Sequence, residues 1–200
     1  MDSLPGILQT IEHTIRAVGY EPPENLRSWA GPPFPKSLRE QLGLSDPEVE
    51  RAVTIYRAHY LETGTHLSTP FVGMPELLRD AHAQGRPQAT ATSKPITQAR
   101  EMLKREGLIG LFHTLGAAND DETRSDKRDV ISDALTGLQA AGIDTTGVVL
   151  VGDRIHDYEA AHEMGITSIA ATWGYGTKSE WEHADIVVTT VGELRSVLGL

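Results

Sequence analysis

Cysteine is absent from the 200 residues, which excludes disulfides, thiolate metal sites and a cysteine nucleophile together. Any chemistry must come from oxygen and nitrogen groups. Positive charge is scarce: 18 Lys and Arg stand against 28 Asp and Glu, a formal net charge of −10. Such a surface has no electrostatic reason to approach nucleic acid phosphates or an anionic bilayer, so no nucleic acid polymer and no membrane are expected as partners. No apolar run approaches the ~18 to 20 residues of a membrane span. The most apolar run, Val148-Val149-Leu150-Val151, is strand-sized. Met1-Asp2-Ser3-Leu4-Pro5 has neither a basic n-region nor a long apolar stretch, so it does not read as a secretory signal, and a cytoplasmic protein is expected. Apolar residues at 39% and charged residues at 23% are near globular averages, so the chain is expected to fold.

The pattern changes near residue 70. Before it, Leu4, Ile7, Leu8, Ile11, Ile15 and Val18 recur at helical spacing behind Ser3 and Pro5, up to Gly19. The stretch 21–35, with Trp29-Ala30-Gly31-Pro32-Pro33-Phe34, reads as a short helix turning into a rigid loop, the loop either facing a substrate or serving as packing. Ser45-Asp46-Pro47-Glu48 is a capping box that opens a helix carrying Val49, Val53, Tyr56 and Tyr60 on one face. A small helical bundle over 3–70 accounts for this part.

From 71 to 200, short strands alternate with helices, which argues for α/β architecture with a parallel sheet covered on both faces. Helices are expected over 75–84, 96–106, 126–141, 156–164 and 192–198. The strands expected are 88–92, 112–117, 148–151, 167–171 and 186–188, with Val148–Val151 the clearest buried one.

Ligands in such a fold sit at the carboxyl ends of the strands, and three places there carry polar residues. Gly152-Asp153-Arg154-Ile155-His156-Asp157 ends a strand with two carboxylates, close enough to share Mg²⁺, which takes one or two carboxylates plus waters and a substrate phosphate. The competing reading is that Asp157 N-caps the next helix and Asp153 caps a turn. Ala91-Thr92-Ser93-Lys94-Pro95 offers hydroxyls where a strand meets a helix, suited to phosphate oxygens or simply to capping. Lys127 lies near a helix start, where the dipole disfavours cations, so it either faces an anion or is a solvated charge. Arg154 and His156 either reach a substrate or pair with nearby acids. His13, His59 and His113 have no ligand-like spacing.

Taken in order, Thr92, Lys127 and Gly152-Asp153-Arg154-Ile155-His156-Asp157, with Trp173-Gly174-Tyr175-Gly176, resemble the haloacid dehalogenase-like (HAD) superfamily. The closer resemblance is to its phosphoglycolate phosphatase-like and 5′-nucleotidase-like branch. It implies a Rossmannoid parallel sheet with an inserted helical cap. It also implies Mg²⁺-dependent hydrolysis of a small phosphorylated metabolite through an aspartyl-phosphate. On that resemblance Thr92, Ser93 and Lys127 bind phosphate, Thr92 and Lys127 act as catalytic residues, and Asp153 and Asp157 hold the metal.

The family's first core strand, ending in Asp-x-Asp with the attacking carboxylate, has no counterpart here, and no residue of the chain is assigned as nucleophile. Asp2 matches only the downstream Asp of that motif. The expectation is therefore an active phosphatase in a full-length form that carries the strand. The alternative is a catalytically inactive relative that binds a phosphorylated ligand or a protein partner. In the family the strand lies between those ending at Thr92 and Val151, and burying its three or four apolar side chains would contribute roughly 5–10 kcal/mol. A core lacking it, at 71–200, is expected to be incomplete and fragile, with strand edges open to a neighbour. A homodimer is the assembly to test for.

Overall fold

In the computed structural model, which describes residues 1–30, 34–121 and 123–200, the chain divides into two units, Met1–Pro70 and Phe71–Leu200. The first is helical: α1 (Leu4–Ala17), a 3-10 turn (Leu26–Trp29), α2 (Phe34–Leu42), α3 (Asp46–Glu62) and a second 3-10 turn (Gly64–Leu67). Pro5 sits in the first turn of α1, where its missing N–H costs nothing, and the Leu4 N–H is capped by Asp2 Oδ1 at 3.2 Å. The capping box of α3 forms as expected: the Ser45 N–H and Oγ both donate to Glu48 Oε2, at 2.8 and 2.6 Å. Helix α2 was not foreseen, because its start lies beside the Pro-rich run. Of that run, Gly31, Pro32 and Pro33 lie outside the described residues. Its ends serve as packing: Trp29 is 2% exposed in the bundle core with Ile11, Ile15, Leu38 and Val49, and Phe34 packs against Tyr56 at 4.8 Å between ring centroids.

Asp2 and Thr69 form an antiparallel bridge, so the helical unit begins and ends at one point. On the α1–α3 contact His13 and His59 stack with ring centroids 3.9 Å apart. Burial first, then the neighbouring His13 charge, hold the His59 pKa below its ordinary value, against a smaller upward pull from Glu62. A histidine depressed in the fold stabilises it above the unfolded value of ~6.5, and that contribution is lost as pH falls. Urea unfolding followed by circular dichroism should therefore show lower stability at about pH 5 than at about pH 7.5, with His13→Gln reducing the difference.

In the second unit the elements are α4 (Met74–Ala83), β1 (Ala89–Pro95), α5 (Ile96–Arg105), β2 (Thr114–Ala118), α6 (Lys127–Ala140), β3 (Val149–Gly152), α7 (Ile155–Glu163), β4 (Thr167–Ala171), α8 (Lys178–Trp181), β5 (Ile186–Val188) and α9 (Val191–Leu198). All pairings are parallel, but the expected single sheet is split. One piece has two strands, β1–β2, and the other three, β3–β4–β5. Among the described residues, β1 and β3 each have one edge without a paired strand. One helical layer spans the division, since α6 packs on β1 and β2, α7 packs on β3 and β4, and the two helices pack on each other. Ala91 of β1 and Leu150 of β3 lie against the same cluster of Ile131, Ala160, Ala161 and Ile166.

The division corrects the reading of Val148–Val151 as the clearest buried strand. Leu150 packs on the helices, but Val149 and Val151 alternate to the other side and are each 37% exposed, because β3 is an edge. No helix among the described residues is long and apolar enough to cross a membrane.

At the opposite ends of the strands from the acidic loop, Ser168 ties β4 to the start of β5. Its N–H and Oγ donate to Asp185 Oδ2 at 2.8 and 2.9 Å, its Oγ accepts from the Asp185 N–H at 3.0 Å, and His162 Nε2 lies 3.0 Å from the same carboxylate oxygen. Ser168 is fully buried and its hydroxyl makes these contacts, so Ser168→Ala should cost about 1 kcal/mol in chemical denaturation.

Candidate functional site

Strand β3 delivers Asp153 and Asp157 together at its carboxyl end. Gly152 ends the strand where a Cβ would overlap the Asp157 side chain, so only glycine lets α7 start this close. Asp157, in the first turn of α7, turns its carboxylate back over the loop. Its Oδ2 accepts from the N–H groups of Asp153 at 3.0 Å and Arg154 at 3.1 Å. The capping reading of Asp157 is therefore realised.

Its other oxygen does something capping does not require. Asp157 Oδ1 lies 2.9 Å from Lys127 Nζ, in a pair whose side chains are only 11% and 16% exposed. Lys127 is the first residue of α6, a helix capped independently by Asp126, whose Oδ1 accepts from the Arg128 N–H at 2.9 Å. The lysine thus faces an anion, as its position against the helix dipole implied, and that anion is Asp157. Lys127 Nζ also donates to the carbonyl oxygen of Ala91 in β1 at 2.9 Å. It therefore ties the carboxyl end of β1 to the loop after β3 across the missing pairing.

An ammonium has three donors, so one Lys127 N–H stays available among the described residues. Thr92 lies next to Ala91. Its Oγ1 accepts from the Lys94 N–H at 3.1 Å, leaving the hydroxyl proton without an acceptor among the described residues. Ser93 is exposed. The β1 register breaks between Thr92 and Pro95, which is where the chain leaves the ladder to enter α5.

Asp153 is half-buried. Burial first, then Asp157, push its pKa up, against the Tyr175 N–H and the Arg154 charge. Its Oδ2 accepts from the Tyr175 N–H at 2.7 Å, while Oδ1 carries no donor among the described residues. Tyr175 reaches it because Gly174 and Gly176 flank it. A Cβ on Gly174 would overlap the Asp153 side chain, and one on Gly176 its carbonyl. Arg154 and His156 both turn to acids. Arg154 Nε binds Glu180 Oε1 at 3.0 Å, and His156 lies 3.9 Å from Glu159. Burial pulls the Glu180 pKa up, but the Thr177 N–H and Arg154 together hold it below the ordinary value. Tyr158, on α7 beside Asp157, is fully buried with no partner for its hydroxyl among the described residues, and burial and the two aspartates push its pKa up.

Sequence reasoning named Thr92, Ser93, Lys127, Asp153 and Asp157 as candidates; the structure brings Lys127 and Asp157 into contact, and adds the Ala91 carbonyl, the Tyr175 N–H and Glu180 as partners that were not foreseen. The first two of these partners are backbone groups with no residue signature. The glycine spacing of Trp173-Gly174-Tyr175-Gly176 was the one signal for the third wall. Chemically, among the described residues Lys127 and Thr92 each keep an unspent hydrogen-bond donor, and the half-buried Asp153 keeps one carboxylate oxygen unspent.

The description "haloacid dehalogenase-like hydrolase" belongs to a family model that matches residues 1–171, and the chain is a member of that family. It is 33% identical to the tyrosine-protein kinase PtkA of Mycobacterium tuberculosis, over all of this chain and 69% of that protein. A solved PtkA structure superposes with a TM-score of 0.82, covering all of this chain and 93% of that one. It is 28% identical to a 5′-nucleotidase of Pseudomonas aeruginosa over 90% of this chain and 80% of that protein. A haloacid dehalogenase-like family hydrolase from Streptococcus pneumoniae superposes with a TM-score of 0.84 at 25% identity, covering 98% of this chain and 92% of that one.

Removing the lysine would leave the Asp157 carboxylate short of its cationic partner. Lys127→Ala should therefore lose about 3 kcal/mol in urea unfolding, whereas Arg128→Ala, on the exposed side of the same turn, should unfold close to wild type.

Proposed function

We propose that the protein is a Mg²⁺-dependent phosphate monoester hydrolase acting on a small phosphorylated metabolite, in a full-length form that carries a strand between β1 and β3. The observation that carries this reading is Lys127, held by Ala91 and Asp157 with one donor still free, next to the free hydroxyl of Thr92. Phosphoryl transfer is catalysed chiefly by positioning and by neutralising charge on the equatorial oxygens, and these two donors suit that task. Relatives in the family named as phosphatases point the same way.

The donor set fits Mg²⁺. It is all oxygen, Asp153 keeps one carboxylate oxygen open, and a cation that takes one or two protein carboxylates needs no larger cluster. Among the described residues no group of three or more His, Asp or Glu converges on one point. Asp153 would hold the cation directly. Asp157, already bonded by Lys127 and two backbone N–H groups, would support it from behind while fixing the lysine. Bound Mg²⁺ supplies positive charge to the phosphate oxygens and orients the ester.

The chain's own residues do the rest. Thr92 donates its hydroxyl proton to a phosphoryl oxygen, Lys127 donates its third N–H to another, and both stay fixed because their remaining contacts are to backbone and to Asp157. Neither aspartate is placed to attack phosphorus: Asp157 is engaged on both oxygens, and Asp153 is committed to Tyr175 and the cation. No described residue is assigned as the attacking carboxylate.

The test is release of inorganic phosphate from a panel of sugar, nucleoside and glycolate phosphates by the full-length protein. Hydrolysis that EDTA abolishes and Mg²⁺ restores, and that Lys127→Ala lowers by about 10²-fold or more, is expected. Phosphate binding without any turnover on the panel would replace this reading with that of a non-enzymatic binder.

A further inference from the structure

The segment between β4 and α8 touches the acidic loop at more points than a connecting turn needs. Tyr175 gives its N–H to Asp153 Oδ2 at 2.7 Å, and Gly174 and Gly176 let the backbone lie against that aspartate. Its far end is tied to the loop through the Glu180 carboxylate. Glu180 Oε2 accepts from the Thr177 N–H at 2.7 Å and caps α8, while Oε1 accepts from Arg154 Nε at 3.0 Å. Helix α8 is one turn long and cannot hold itself, since an isolated turn fixes many dihedrals for one hydrogen bond. Its place depends on Glu180, and the charge that faces Glu180 is Arg154, whose own N–H is one of the two that carry the Asp157 cap. Arg154 therefore serves both sides: its N–H binds Asp157 Oδ2, and its guanidinium fastens the segment that orients Asp153.

We propose that Arg154 and Glu180 are positioning residues: their ion pair clamps residues 173–181 onto the acidic loop, so that Tyr175 fixes one oxygen of Asp153 and leaves the other aimed at the cation. This rests on the reading of Asp153 as the Mg²⁺ ligand. Groups that orient a metal-ligating carboxylate are worth about tenfold to a hundredfold in metal affinity. The pair's side chains are 36% and 15% exposed, so its role is local orientation rather than core stability.

Two measurements on the same variants test it. Hydrogen exchange without metal reads the Tyr175 and Thr177 amides directly, and Mn²⁺ titration followed by electron paramagnetic resonance reads the affinity of the site. In Arg154→Met and Glu180→Gln both amides should exchange faster and Mn²⁺ should bind about tenfold more weakly, with Arg154→Lys recovering part of each. The charge-swapped double variant Arg154→Glu with Glu180→Arg should recover more than either of its single changes. Unchanged Tyr175 exchange in Arg154→Met would overturn the clamp. Faster exchange with unchanged Mn²⁺ affinity would reduce the pair to a structural tie of α8 and overturn the positioning role. Asp153→Asn separates the two layers: if it leaves Mn²⁺ binding intact, the metal reading itself fails and the positioning role with it, whatever the clamp does to the amides.

Discussion

The contact between Lys127 and Asp157 carries more of this molecule than any other polar interaction described. A parallel sheet normally takes its continuity from a ladder of backbone hydrogen bonds, and here the ladder stops between β1 and β3. The two pieces share a helical layer, and at the carboxyl ends of the strands a lysine spans them, with Ala91 on one side and Asp157 on the other. A largely buried charge pair contributes little net energy of its own, but removing one partner leaves the other uncompensated. Its value is that it fixes the geometry of the site and spends only two of the three lysine donors.

Around that contact each group has a structural duty and a residual capacity. Asp157 caps α7 and anchors the lysine. Thr92 accepts from the Lys94 N–H where the β1 register shifts and keeps its hydroxyl proton. Asp153 binds the Tyr175 N–H with one oxygen and holds the other open. Membership of the haloacid dehalogenase-like hydrolase family accords with this arrangement. The proposal of Mg²⁺-dependent phosphate ester hydrolysis rests on the unspent donors and the unspent carboxylate oxygen.

Much of this was legible in the sequence because it depends on local chemistry. The capping box at Ser45–Glu48, the stop of the first helix near Gly19 and the change of pattern near residue 70 all act over a few residues. Thr92, Lys127 and the two aspartates could be named as candidates because strand ends collect ligands in this architecture. What could not be read was long-range. Val149 and Val151 look buried in a one-dimensional pattern, and only the arrangement of strands reveals that β3 is an edge. The anion opposite Lys127 is 30 positions away, the Ala91 carbonyl and Tyr175 N–H have no side-chain signature, and the role of Glu180 is visible only once α8 is in place. Trp29 and Phe34 invited a substrate-facing reading and proved to be packing, because a Pro-rich flank says where the chain turns and not which way an aromatic ring points.

The most direct test of the account is a nuclear magnetic resonance titration of the protein with Mg²⁺ and inorganic phosphate, alone and together, with shifts mapped residue by residue. The account predicts perturbations centred on Thr92, Lys127, Asp153 and Tyr175, larger and tighter when both ions are present, since the cation and the oxyanion donors share one ligand. Perturbations centred elsewhere, or saturable binding of phosphate that leaves Thr92 and Lys127 unmoved, would contradict it.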